Sequence, residues 1–164
     1  MPHKEFGDIV FDIVDYDDTT KALTLWMHDC IVPNYEFDAP EPTNPDSNRS
    51  NYGSNNYGQS AARQWLNGTG NSWWSAKTEY DAEPSYADKP GFLAGFPEEF
   101  VEILEATERI CATNTVVENG DVDGTTITTG SSYTVTDKMF LPSYTELTGE
   151  NNNNIAEGAQ FDAL

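Results

Sequence analysis

Positive charge is scarce in this chain. Lysine and arginine supply 8 of the 164 residues against 28 aspartates and glutamates, a formal net charge of −20. Phosphate backbones are gripped by Lys and Arg, so this balance argues against nucleic-acid binding and against attraction to anionic membrane surfaces. What it favours is solubility and mutual repulsion between copies. Long hydrophobic runs are also missing. No stretch approaches the roughly 18 apolar residues of a membrane span. The opening MPHKEFGDIVFDIV has no continuous apolar segment and reads as no secretory signal. Cysteine is limited to Cys30 and Cys111, far apart and without CxxC spacing, and both are expected as buried free thiols. A disulfide would need close backbones and an oxidising compartment, and neither is legible in the sequence.

Catalytic signatures are lacking as well. GxSxG, the P-loop and GxGxxG do not occur. The two histidines, His3 and His28, have no paired spacing that would suggest zinc. In a strand His28 and Cys30 would point the same way, but no sharp glycine turn exposes the thiol as a nucleophile. Among the many carboxylates no pair stands out for acid–base work. Asp121-Val122-Asp123-Gly124 resembles the start of a calcium loop, yet it lacks the third ligand position and the closing Glu. A plain acidic turn is expected there, and no cofactor, with calcium the only one left open.

Against these absences stands an aromatic content of 12%, including four tryptophans. Acidic disordered tails are poor in aromatics, so the chain reads as one folded, loop-rich domain. Residues 8–14 and 21–27 alternate apolar and polar around the polar turn DYDDTT and predict a β-hairpin, with Ile9, Phe11 and Ile13 on one face. Four prolines between residues 31 and 57 predict a long loop, either ordered or mobile. A short helix is expected over residues 59–66, stopped by Asn67-Gly68. A second begins at Pro97 with Glu98 and Glu99 at its positive end. Its stripe of Phe96, Phe100, Ile103, Leu104 and Thr107 should face the core. Residues 110–117 and 125–136 suit strands, and residues 139–141 read as a short buried strand. Ser143-Tyr144-Thr145-Glu146 fits a capping box opening a last short helix.

Two stretches are specific in wording: NYGSNNYGQSAARQWLN (residues 51–67) and TDKMFLPSYTEL (residues 136–147). Arg63 is the single cation of the first. It is expected to form an ion pair or to clamp backbone carbonyls of the preceding loop, with recognition of an anionic ligand by its planar fork as the sharper alternative. Trp73-Trp74, followed by Tyr80 and Tyr86, offers large rigid contact area of the kind used for carbohydrate or protein recognition, unless the tryptophans cap the core. Tyr52 and Tyr57 stand in the Asn-rich loop like aromatics in a display loop. The sequons at Asn48 and Asn67 are read as chance in a chain without a secretory signal.

With these residues in view, the sequence resembles a domain of unknown function common in gut bacterial and phage-encoded proteins. The resemblance rests on the Asn/Tyr/Ser-rich approach to Arg63-Gln64-Trp65-Leu66-Asn67, the pair Trp73-Trp74, the stretch Pro90 to Phe96, and the motif from Thr136 to Glu146. FDAPEPTNPD (residues 37–46) also looks like phage-borne members. That family is similar to the C-type-lectin-like fold shared with formylglycine-generating enzymes. Members usually continue into a W-L-R strand and a G-V-R-P segment, neither of which occurs here. Residues 1–164 are therefore read as a single domain lacking the family's C-terminal portion.

The resemblance implies an α+β, C-type-lectin-like architecture of short helices packed on a small antiparallel sheet. It implies a non-enzymatic recognition module of a phage or prophage virion, binding a host surface protein or glycan. The alternative is a structural tail or decoration protein acting through assembly contacts, with homo-oligomerisation open. An enzyme of the formylglycine-generating type would need Cys30 and Cys111 in one cleft. The expected location is the virion, or the infected bacterial cytoplasm before assembly. Tyr52, Tyr57, Trp73, Trp74 and Tyr80 are the expected contact residues. Arg63, Trp65, Asn67, Asp137 and Phe140 are the expected scaffold.

Overall fold

A computed structural model describes residues 1–31, 34–112, 132–150 and 159–163. The N-terminal residues build two antiparallel pairs: β1 (Pro2–His3) with β2 (Gly7–Asp8), and β3 (Phe11–Tyr16) with β4 (Leu23–Met27). The turn joining β3 to β4 is set by Asp17, whose carboxylate accepts the N–H groups of Thr19 and Thr20 at 2.8 and 3.1 Å. These bonds favour the ionised carboxylate and lower its pKa. The ladder is regular from Phe11 to Ile13 and is interrupted by a bulge between Ile13 and Asp15, where Val14 is buried. Ile9 joins the core, whereas Ile13, opposite Leu25 on the same face as the Phe11–Met27 pair, lies further toward the turn and faces solvent.

The proline-rich stretch carries an element of its own, α1 (Ser47–Tyr52), started by the Asp46 carboxylate on the N–H groups of Asn48 and Arg49. α2 (Ala61–Leu66) begins at Ser60, whose hydroxyl accepts the Arg63 N–H at 3.2 Å. A 3-10 turn, Phe92–Gly95, leads into α3 (Glu98–Ile103). α3 is a turn and a half long, which shortens the expected stripe. Phe96 and Phe100 are buried, Ile103 is 73% exposed, and Thr107 already belongs to the next strand.

β5 (Thr107–Ala112) pairs antiparallel with β6 (Ser132–Asp137), from Thr107 opposite Asp137 to Ala112 opposite Ser132. The remainder of the expected strands, residues 113–117 and 125–131, and the acidic turn at Asp121 and Asp123 lie outside the described residues. Residues 139–141 are irregular and not a strand, because the Asn67 side chain takes both backbone groups of Met139. α4 (Tyr144–Thr148) opens with the capping box: Ser143 Oγ accepts the Glu146 N–H and Glu146 accepts the Ser143 N–H.

The architecture is small and α+β, and among the described residues the strands form three separate two-stranded ladders in place of one sheet. Aromatic rings fill the space between them. Trp65 lies against Phe6, Tyr35, Tyr86 and Phe92, and Phe96 bridges Phe92 to Phe100. His3 belongs to this core. Its ring stacks on Phe6 and Phe92, and Nδ1 accepts the Glu5 and Phe6 N–H groups, which leaves Nε2–H to donate to the Phe92 carbonyl at 3.0 Å. A Cβ at Gly95 would meet that ring at 2.0 Å, so only glycine admits it.

Candidate functional site

The two worded motifs meet in space. From α2, the Arg63 guanidinium reaches β6: Nε lies 3.0 Å from both Asp137 oxygens and Nη2 lies 2.8 Å from Oδ1. Asp137 is only 3% exposed, so its carboxylate depends on this partner. Arg63 Nη1 also donates to the Gly58 carbonyl at 3.1 Å, tying the Asn-rich loop to the same point. One turn on, Asn67 satisfies four groups. Its amide donates to the Arg63 and Met139 carbonyls at 3.1 and 2.8 Å, and its oxygen accepts the Lys138 and Met139 N–H groups at 2.9 and 3.2 Å.

Tyr133, four residues before Asp137 on β6, also holds the loop. Its hydroxyl accepts the Gly58 N–H at 2.7 Å and donates to Asn56 Oδ1. Burial is the main cause that pushes this phenol up to about 12. The hydroxyl of Tyr57 is enclosed beside the Asp137 carboxylate and the Leu141 N–H, short of hydrogen-bond geometry with either, and burial raises its pKa. Tyr57 thus lies within the latch between the motifs. It also lines a groove of about 240 Å³ with Arg109, Cys111, Leu141, Pro142 and Ser143.

Arg109 completes a pattern that sequence reading missed. Its guanidinium pairs with Glu146 and lies 4.0 Å from the Phe140 ring centroid, and Arg49 pairs with the buried Glu41. Each of the chain's three arginines is thus committed to an internal carboxylate. The signal available beforehand was their rarity: in a chain this acidic, a planar cation near an apolar stretch is most valuable against a buried carboxylate.

The tryptophan pair sits elsewhere. Trp73 is half-buried and stacks on Tyr86 at 5.6 Å and 14°, and Tyr86 stacks in turn on Tyr35 at 4.3 Å and 11°. Backbone carbonyls hold both nearby indoles: Lys89 accepts Trp73 Nε1–H at 2.8 Å and Pro90 accepts Trp65 Nε1–H at 3.1 Å. The Tyr86 hydroxyl donates to the Glu36 carbonyl at 2.9 Å, and burial raises its pKa. The crossing of the two loops leaves no room for side chains, since a Cβ at Gly91 would come within 2.5 Å of Gly68. Trp74 is half-buried against the same core.

Tyr52 protrudes at 69% exposure from the end of α1, and Tyr80 is half-buried in a turn closed by Asp81. Among the described residues no ring contact joins Tyr52, Tyr57 or Tyr80 to Trp73 and Trp74, so the five expected contact residues do not form one cluster. Cys30 is exposed, contrary to expectation, because it follows the end of β4 and lies beyond the packed ladder. Cys111 is partly buried, and burial pushes its thiol up. The two cysteines are free and line different grooves. Among the described residues, no group of three or more His, Cys, Asp or Glu side chains could hold a metal ion. No described helix is long and apolar enough to cross a membrane.

The fold and its two-motif latch define a small α+β domain. The chain belongs to the family described as Domain of unknown function (DUF6273), which it matches over residues 23–164. No curated protein and no solved structure matches it.

Proposed function

We propose that this domain is a non-enzymatic recognition module, binding a glycan or protein surface through the rigid aromatic platform of Trp73 and Trp74. The observation that carries this reading is the stacked arrangement of Trp73 on Tyr86 and Tyr86 on Tyr35, with the Trp73 N–H already bound to the Lys89 carbonyl. A half-exposed indole fixed in this way loses little freedom on binding, and its face suits the C–H surface of a sugar or an apolar side chain. A C-type-lectin-like character, and a place in a phage or prophage particle facing a host surface, rest on the resemblance of the RQWLN and TDKMFLPSYTE motifs.

A structural role in the particle is the second reading. It is favoured by the apolar side chains of Ile13, Tyr16, Leu23 and Leu25, exposed together on the β3–β4 hairpin. A glycan array and a host-cell binding assay on the wild type, Trp73→Ala and Trp74→Ala separate the two. Binding that is lost in the variants while their circular dichroism is retained supports recognition. Absence of binding, together with a stable oligomer by light scattering, overturns it in favour of assembly.

A further inference from the structure

A second groove, of about 300 Å³, runs along the hairpin away from the tryptophan pair. One wall is the continuous stretch of residues 24–30, the other is residues 139–142, and Phe11 and Phe161 complete the lining. Its volume is at the lower end of ligand sites, about 300–1,000 Å³. The backbone chemistry of its walls is more informative than its size. The His28 N–H donates to the Val10 carbonyl at 3.0 Å. Counting along an antiparallel ladder from that bond, Trp26 exchanges its backbone bonds with Asp12, and Leu25 and Met27 turn theirs to the outer edge. Among the described residues only β3 pairs with β4, and none of them hydrogen-bonds the outward N–H and C=O groups of Leu25 and Met27. Among the described residues the N–H and C=O of Phe140 across the groove likewise have no hydrogen-bond partner.

The geometry points to an edge-strand docking site: the groove takes an extended, basic peptide segment of a partner protein as an added strand on β4. Open donors and acceptors along a strand select a polypeptide backbone, as in β-strand addition. Trp26, Met27, Met139, Phe140 and Phe161 give the groove apolar walls for alternate side chains. Charge completes the selection. Among the described residues, Asp29 and the His28–Asp12 pair are the ionisable groups at this groove apart from Cys30 and no Lys or Arg lines it, and the chain carries a net −20. A second copy would bring the same charge and be repelled, so the segment it fits carries Lys or Arg beside its apolar positions.

The test pans the full chain against displayed random peptides of about six residues, strand length, flanked by lysine. Selected peptides are expected to alternate apolar and polar residues, to bind less tightly as salt rises, and to shift the amide resonances of Leu25, Met27 and Phe140. N-methylation of the best peptide, amide by amide, then reads the mode. One alternate set of amides should lose about five- to tenfold each and the other almost nothing, since each lost backbone bond is a modest loss in affinity. On the protein side, Leu25→Pro removes an outward N–H and no β3 bond, so it should keep the fold and lose the peptide. Failure to select any peptide, uniform sensitivity to N-methylation, or shifts confined to residues around Trp73 would overturn the proposal. The N-methyl series uses the wild-type chain, so it decides the matter even if Leu25→Pro does not fold.

Discussion

Arg63 and Asp137 stand 74 positions apart in sequence and share a side-on ion pair, Nε and Nη2 of one against the carboxylate of the other. The pair fastens α2 to the end of β6 and, through Gly58, fixes the loop leading into α2. Because the carboxylate is buried, its removal and its replacement have opposite meanings. Asp137→Ala leaves a partly buried guanidinium unpaired and should cost about 3–5 kcal/mol in urea unfolding. The double variant Arg63→Leu/Asp137→Leu should cost clearly less than Asp137→Ala alone. Equal losses would show that the pair's charge is irrelevant to its place in the fold.

Asn67 distinguishes shape from hydrogen bonding. Its amide end faces two carbonyls and its oxygen faces two N–H groups. Asn67→Asp keeps the acceptor and points a carboxylate oxygen at the Arg63 and Met139 carbonyls. It should destabilise by about 1–3 kcal/mol, as expected for buried groups left unsatisfied. Thermal unfolding beside Asn67→Ala checks this. An Asp variant as stable as the wild type would place the amide in solvent.

The tryptophans should separate by role. Trp65→Ala removes a ring enclosed by four others and is expected to cost about 3–5 kcal/mol. Trp73→Ala, at a half-exposed position, should cost less than half of that. Acrylamide quenching and chemical denaturation on the two variants give both numbers, and a Trp73 loss as large as that of Trp65 would make the platform part of the core.

Cysteine labelling should be biphasic. Cys30 is exposed and should react quickly with a disulfide reagent at pH 8, whereas Cys111 is partly buried and burial raises its thiol pKa, so it should react slowly and accelerate on unfolding. Mass spectrometry of the singly labelled chain identifies which residue reacts first.

His28 should titrate above its ordinary 6.5, because Nδ1 lies 2.8 Å from Asp12 Oδ2 and that hydrogen bond favours the imidazolium. A raised folded-state value means that its stabilisation is complete below the unfolded value and is lost as pH rises through the folded one. The ring protons should titrate lower in Asp12→Asn when followed by nuclear magnetic resonance. An unchanged midpoint would remove Asp12 as the cause. Both side chains are solvent-exposed, so the effect should show in the titration and little in global stability.

Local signals carried well into the structure. The capping box at Ser143 and Glu146, the stop after Leu66 and the hairpin around DYDDTT are all present, since each depends on residues within a turn of one another. Ile13 keeps the face of Phe11 and is nevertheless exposed, because that face runs past the core toward the turn. The strand expected at residues 139–141 failed because a side chain from α2 took the bonds a neighbouring strand would need. The helix in the proline-rich stretch was missed, although Asp46 carries a good N-cap signal, because the prolines all fall before it.

Composition alone determined the acidity, the aromatic core-forming capacity and the short capped helices, because these follow from residue counts and from contacts within a few positions. Only the tertiary structure decided that RQWLN and TDKMF are two halves of one latch, that all three arginines face internal carboxylates, and that among the described residues nothing pairs with the outer edge of β4 beside residues 139–142. The physical reason is common to all three. A buried charge or an unpaired strand edge is defined by what lies across from it, and in this chain the partner is supplied by residues from 8 to more than 100 positions away.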